Sequence, residues 1–183
     1  MAQFFEAIEP DHAAFIARQP VFFVATAAAE TRINLSPKGM ECFRVLGPRR
    51  VAWLDVAGSA NETNAHLLAD GRITMMFCAF DNPALILRLY GRGIPVLPQD
   101  AGWAALASGF TLLPGTRQIF DVAIESVQTS CGWGVPHMAL VRERETLRKY
   151  HAQHDESVRF AKYAVRTHSI DGLPVRNPEV APG

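Results

Sequence analysis

The chain has 183 residues, of which 49% are hydrophobic and 20% charged, and its 18 Lys and Arg balance 18 Asp and Glu. That length predicts one domain, 1–183, with an ample core, and the composition excludes a disordered chain. A neutral balance without runs of one sign speaks against a nucleic-acid partner, which would require a basic face.

Along the chain, Asp11 reads as the N-cap of a first helix that Pro20 ends. Val21–Thr26 is β-branched and aromatic, as a strand should be, and Arg32–Leu35 is its return strand. Cys42–Leu46 and Val51–Asp55 flank the turn Gly47-Pro48 and form a second hairpin. Ser59-Ala60-Asn61-Glu62 matches a capping box, which predicts a helix over Ala60–Ala69 with Gly71 just past its end. Ile73–Phe80 is apolar on both faces and reads as a buried strand. Asp81-Asn82-Pro83 is a turn, and Ala84–Tyr90 is the next strand.

Pro98–Ser108 reads as a helix and Gln118–Val127 as the last long strand. Leu140–Val165 mixes Arg, Lys and Glu with periodic apolar residues, which predicts one or two amphipathic helices. The tail from Asp171 is irregular. The fold class is therefore mainly β (α+β), an antiparallel barrel over about 20–130 followed by a helical segment and tail over about 138–183.

Three separated cysteines without a CxxC support neither a zinc knuckle nor a thioredoxin motif. Met1–Glu6 lacks a signal-peptide pattern, and the longest apolar runs are too short for a bilayer. A cytoplasmic protein with free thiols and no membrane partner is expected.

Two segments carry candidate chemistry. The helix start near Ser59 offers unpaired N–H groups and a partial positive charge to a phosphate, although spacing alone favours simple capping. Ser36-Pro37-Lys38-Gly39 presents a hydroxyl, a cation and a glycine in a turn. Arg88 lies inside the apolar run Leu85–Tyr90, so it needs a partner, an exposed face or a ligand. Gly91-Arg92-Gly93 is not a dinucleotide fingerprint, because Pro95 and Pro98 oppose the helix that motif requires. Trp133, between Gly132 and Gly134, can stack on a flat cofactor or cover the core. Nothing marks Cys131, near His137, as an activated thiol. His151 and His154 read as exposed helix residues, and no metal site is expected. No nucleophile elbow or P-loop is present.

Taken together, Ile33–Gly39, Val51–Phe80, Leu87–Gly93, Ser130–Pro136 and Ser169–Pro174 resemble the pyridoxamine 5′-phosphate oxidase-like family of flavin-binding split β-barrels. The likeness is to the branch bearing Asn-Leu-Ser-Pro-Lys-Gly early and Ser-Cys-Gly-x-Gly-Val-Pro late. It implies a six-stranded antiparallel split β-barrel, a homodimer, and FMN in a cleft between subunits. It implies that Arg32–Ser36 and Leu54–Asn64 line the flavin and its phosphate. The cofactor-binding set is then Arg32, Asn34, Ser36, Lys38, Leu54, Asp55, Ser59, Thr63, Asn64, Arg88 and Trp133. Ser36, Lys38, Ser59 and Thr63 would sit on the phosphate side, and Asn34, Asp55 and Trp133 on the ring side.

The oxidase grips phosphate with basic residues at the start of its crossover helix, whereas Ser59–Asn64 contains no Lys or Arg. The expected activity is that of an FMN-dependent oxidoreductase, with substrate and catalytic residues unassigned. The alternatives are a binding module for flavin, deazaflavin F420 or haem, or a structural dimer without a ligand.

Overall fold

The computed structural model describes residues 2–179. In chain order its elements are β1 (Gln3–Phe5), α1 (Pro10–Ala17), β2 (Phe22–Thr26), β3 (Asn34–Lys38), β4 (Phe43–Gly47) and β5 (Arg50–Val56). There follow α2 (Glu62–Ala69), β6 (Arg72–Cys78), β7 (Leu85–Val96), α3 (Trp103–Ala107), β8 (Thr116–Cys131), α4 (Thr146–Ala152) and α5 (Glu156–Ala164). The mainly β, α+β class holds. Among the described residues, eight strands stand where six were expected, in one antiparallel sheet ordered β3-β2-β6-β7-β8-β5-β4 with β1 added to β8. β1 has three residues, too few to show a period in sequence.

The sheet curls on its aromatic residues. Phe22 of β2 lies 4.9 Å from Phe43 of β4 between ring centroids and 5.4 Å from Phe77 of β6. Trp53 of β5 stacks on Phe120 of β8 at 4.5 Å. β2 and β4 stand far apart in the ladder order, so these rings bring the two ends of the sheet together by packing. Such offset and edge-on pairs add to the burial of large apolar area.

Strand lengths differ from expectation for local reasons. β7 continues past Tyr90 because the β7–β8 register shifts between Tyr90 and Gly91, and a Cβ at Gly91 would collide with the carbonyl of Ala123. Pro95 is tolerated because the β6–β7 ladder ends at Arg72–Arg92, so that side of β7 needs no N–H there. Ser36-Pro37-Lys38 lies in β3, not in a turn; β3 is an end strand paired only with β2, where a proline also fits.

The helices bring three corrections. The N-cap of α1 is Glu9, which forms a capping box with His12, and Pro10 opens the helix with Asp11 in its first turn. α2 starts at Glu62 with Asn61 in the N-cap position, so Ser59 and Glu62 form no capping box. The carboxylate of Glu62 instead accepts the main-chain N–H of Ile170 at 3.1 Å. The α2 end is as expected, with Gly71 just beyond it in the left-handed region.

The third correction is His151. It is buried on α4, and its Nε2 lies 2.7 Å from the carbonyl oxygen of Ala57. A side chain at Gly115, whose φ is +86, would overlap that imidazole. Tyr163 of α5 donates to the same Gly115 carbonyl at 3.3 Å. The two C-terminal helices thus dock on the loops that follow β5 and precede β8. The tail then returns across the start of α2.

Candidate functional site

A cavity of about 330 Å³ opens between β3, the end of β5, the start of α2 and α4. β3 contributes Asn34, Ser36 and Lys38; β5 contributes Leu54 and Asp55; the 58–63 segment contributes Ser59, Asn61, Glu62 and Thr63. Phe120, Arg117 and Leu147 complete the wall. β5 and α2 are joined by a short connection, so the start of the crossover helix necessarily sits at the sheet end where β5 stops.

The structure therefore brings seven of the eleven expected residues to one cavity: Asn34, Ser36, Lys38, Leu54, Asp55, Ser59 and Thr63. The other four lie elsewhere in this chain. Asn64 is fully buried behind the wall, where it binds the tail. The guanidinium of Arg32 is exposed and pairs with Asp171. Arg88 sits on β7, an inner strand between β6 and β8, and donates to Ser130 Oγ at 3.2 Å. Trp133 is 86% exposed on the loop after β8.

Sequence reading missed Arg117, Gln118 and Asn61. Arg117 Nε and Nη2 donate to Asp55 Oδ2 at 3.0 and 2.8 Å, and Nη1 donates to the Ala60 carbonyl at 3.1 Å. Both side chains of that pair are nearly inaccessible. Gln118, fully buried, donates from Nε2 to Asp55 Oδ2 at 2.9 Å and to Asn61 Oδ1 at 2.7 Å. The available signal was Arg117-Gln118 set directly before the apolar pair Ile119-Phe120 in β8. A charge there requires a partner, and Asp55 in the apolar β5 has the same need.

The charges divide into committed and uncommitted groups. Asp55 is neutralised by Arg117, and Glu62 is turned to the tail. Lys38 has no ion-pair partner among the described residues, and the hydroxyls of Ser36 and Ser59 have no protein partner there. Asn61 Nδ2 is buried without a partner among the described residues, although Asn61 lines the cavity. Asn61 stands at the N-cap without capping α2, because its Oδ1 is held by Gln118.

What remains free is a set of donors at a helix start with one cation. That set suits an oxygen-rich anion. A phosphate-bearing flat cofactor also needs an apolar wall, which Leu54, Val56 and Phe120 supply. The residues present therefore fit FMN.

A second polar chain lies on the β3 side. Asn34 Nδ2 donates to Thr63 Oγ1 at 3.1 Å and to Thr26 Oγ1 at 3.4 Å, and Thr26 Oγ1 lies 3.1 Å from His66 Nδ1. These contacts tie β3 to α2 and hold Asn34 in place. Cys42, at the inner edge of the cavity, is inert as a nucleophile. Burial, and then the negative charge of Asp55, pushes its thiol up to about 12.

The profile of the family described as Pyridoxamine 5′-phosphate oxidase matches residues 8–131. The protein ustO of Aspergillus flavus, described as a pyridoxamine 5′-phosphate oxidase family protein, is 35% identical over 193 residues. That match covers 95% of this chain and 78% of the relative. Among solved structures, a HupZ variant of Group A Streptococcus has a TM-score of 0.54 at 20% identity, over 67% of this chain and 99% of that one. A candidate pyridoxamine 5′-phosphate oxidase of Lactobacillus delbrueckii has a TM-score of 0.54 at 16% identity, over 67% and 94%. These two likenesses concern the fold.

Proposed function

This chain belongs to the pyridoxamine 5′-phosphate oxidase family, and on that premise we propose that it binds FMN in the β3–α2 cavity. It acts there as a flavin-dependent oxidoreductase. The observation that carries this reading is the uncommitted donor set: Lys38, Ser36, Ser59 and the unpartnered Asn61 Nδ2, gathered at the start of α2. These donors, with Thr63, hold the phosphate. Leu54 and Phe120 form the apolar wall that keeps water from the ring, and Asn34 supplies a polar contact on the ring side.

FMN, when bound, supplies the transfer of electrons or hydride. The chain's own residues bind, orient and shield. Asp55 and Arg117 neutralise each other, so the wall adds little net charge beside the ring. The cavity volume is at the low end of ligand pockets, which run from about 300 to about 1,000 Å³. A second copy of the chain closing over the opening would bury the remainder, and the reading therefore includes a homodimer. Arg88 and Trp133, which lie outside this chain's own cavity, are candidates to reach the partner's.

The test is a visible spectrum of the purified protein, followed by titration with FMN and with NADH or NADPH. Retained flavin bands that bleach on reduction and return in air support an oxidoreductase. Bands that no donor reduces favour a storing or sensing role. A protein that takes up no FMN overturns the reading. Lys38→Ala removes the uncommitted cation and should weaken FMN about tenfold without lowering the melting temperature.

A further inference from the structure

The amide groups behind the cavity form a chain whose polarity is set at both ends. The main-chain N–H of Arg176 can only donate, and it donates to Asn64 Oδ1 at 3.0 Å. Asn64 Nδ2 must then face the other way, and it donates to Gln118 Oε1 at 2.6 Å and to the Arg176 carbonyl at 3.1 Å. With its oxygen used, Gln118 turns Nε2 to Asp55 and to Asn61 Oδ1. The Asp55 carboxylate, paired with Arg117, can only accept, so it holds the Gln118 amide in the same sense as the contact from Asn64 does. The one remaining freedom is removed at Asn61: its oxygen faces Gln118, and its Nδ2 is left as a buried donor without a partner among the described residues. Asn64 and Gln118 are fully buried, so no water competes for these amides.

A buried donor left unpaired is costly, and native structures keep few of them. Four such side-chain nitrogens stand among the described residues, and the Asn61 one belongs to a residue lining the cavity beside Ser59, Thr63 and the start of α2. We propose that the C-terminal tail is part of the ligand site. Through Asn64 and Gln118 the Arg176 main chain, acting together with Asp55, sets the orientation of Asn61, whose Nδ2 is the donor for a phosphate oxygen of the bound cofactor. This rests on the FMN reading and deepens it. Asn61 is the contacting residue; Asn64, Gln118 and the main chain of residue 176 are positioning residues.

Three sets of full-length variants test it, with FMN and riboflavin as probes because riboflavin lacks the phosphate. Asn61→Asp keeps the acceptor that Gln118 needs and replaces the free donor by a second acceptor. It should weaken FMN by about tenfold or more and leave riboflavin binding nearly unchanged. Asn61→Ala, which adds no charge, should give a smaller loss in the same direction.

Gln118→Glu presents a carboxyl oxygen to both Asp55 and Asn61 Oδ1. The introduced carboxyl is ionised with difficulty beside Asp55, so its folded-state pKa is raised. The ligand-free variant should therefore melt close to wild type at pH about 5 and progressively below it toward pH about 8. This melting readout needs no cofactor. Arg176→Pro removes the N–H that starts the chain, whereas Arg176→Ala keeps it while losing the ion pair with Asp100. The proline variant should bind FMN several-fold more weakly than the alanine variant.

If folded Asn61→Asp and Asn61→Ala bind FMN as wild type does, or lose riboflavin equally, Asn61 is not the phosphate donor. A Gln118→Glu variant whose melting deficit does not grow with pH, or equal FMN binding by the two Arg176 variants, overturns the relay. A wild type that takes up no FMN fails the cofactor reading instead, and the melting experiment still tests the contact between residue 118 and Asp55.

Discussion

The apolar interior of the sheet and the cleft at the start of α2 are held by opposite means. The interior is a set of aromatic and aliphatic side chains, Phe22, Phe43, Trp53, Phe77 and Phe120 among them, packed ring on ring. Its cohesion is spread over many weak contacts, none of which specifies a direction. The cleft is a lattice of directed contacts in which Asp55, Arg117, Gln118, Asn64 and the tail each satisfy another group. The interior can therefore absorb a volume-conserving exchange. The cleft cannot lose one member without leaving another buried and unsatisfied.

The comparison breaks first at Trp53. Trp53→Ala removes a ring with no exposed surface and should cost about 3–5 kcal/mol in denaturant unfolding, the loss of transfer energy plus a cavity between β5 and β8. A cost under about 1 kcal/mol would mean that the aromatic interior does not carry the sheet.

In the cleft the counterpart is Asp55→Ala, which strands the Arg117 guanidinium in the interior and should cost about 3 kcal/mol. The informative measurement is the pair. Asp55→Leu with Arg117→Met removes both charges together and should recover most of that stability while abolishing FMN uptake. If the double variant is no more stable than Asp55→Ala, the cleft is held by packing, as the interior is.

A thiol comparison sharpens the same contrast. Cys42 lies buried at the inner edge of the cleft and Cys131 is exposed after β8. In the native protein near neutral pH, a thiol reagent should label Cys131 readily and leave Cys42 untouched until denaturant is added. The sign of the pH effect follows from the raised pKa of Cys42. A folded-state value of about 12 against a reference of 9.0 means the unfolded chain releases this proton first. The stability linked to Cys42 is thus whole below pH 9 and is lost as pH rises toward 12. Cys42→Ala should lose less stability than wild type over that window.

The two regions also differ in how far the sequence reveals them. Strands of the interior show as β-branched and aromatic runs between turn signals, and β2, β4, β5 and β6 are found within a residue or two of the reading. Their signal is local. The cavity was half legible, because β3 and the start of α2 carry a cluster of hydroxyls, a lysine and a helix start in adjacent segments. Arg117, Gln118 and Asn61 were not, since their roles come from partners as much as 63 positions away along the chain. The false capping box shows the same limit. Ser59 and Glu62 have the correct spacing, but a main-chain N–H from residue 170 is the partner Glu62 takes. His151 was misread because helical periodicity marks a face as polar without showing that a distant glycine has cleared room for an imidazole.

The smallest expected effect lies where the tail meets the segment before β3. Asp171 accepts the Arg32 main-chain N–H at 2.9 Å and also pairs with the Arg32 guanidinium. The guanidinium is 71% exposed, so the ion pair is screened and Arg32→Ala should cost under about 1 kcal/mol. Asp171 is only 11% exposed, and Asp171→Ala removes the acceptor for the main-chain N–H as well. It should cost more than Arg32→Ala and loosen the tail toward proteolysis. Equal effects of the two variants would show the charge to be the anchor. The expected inequality would show that a directed contact to the main chain holds the tail, the same means that orders the cleft beneath it.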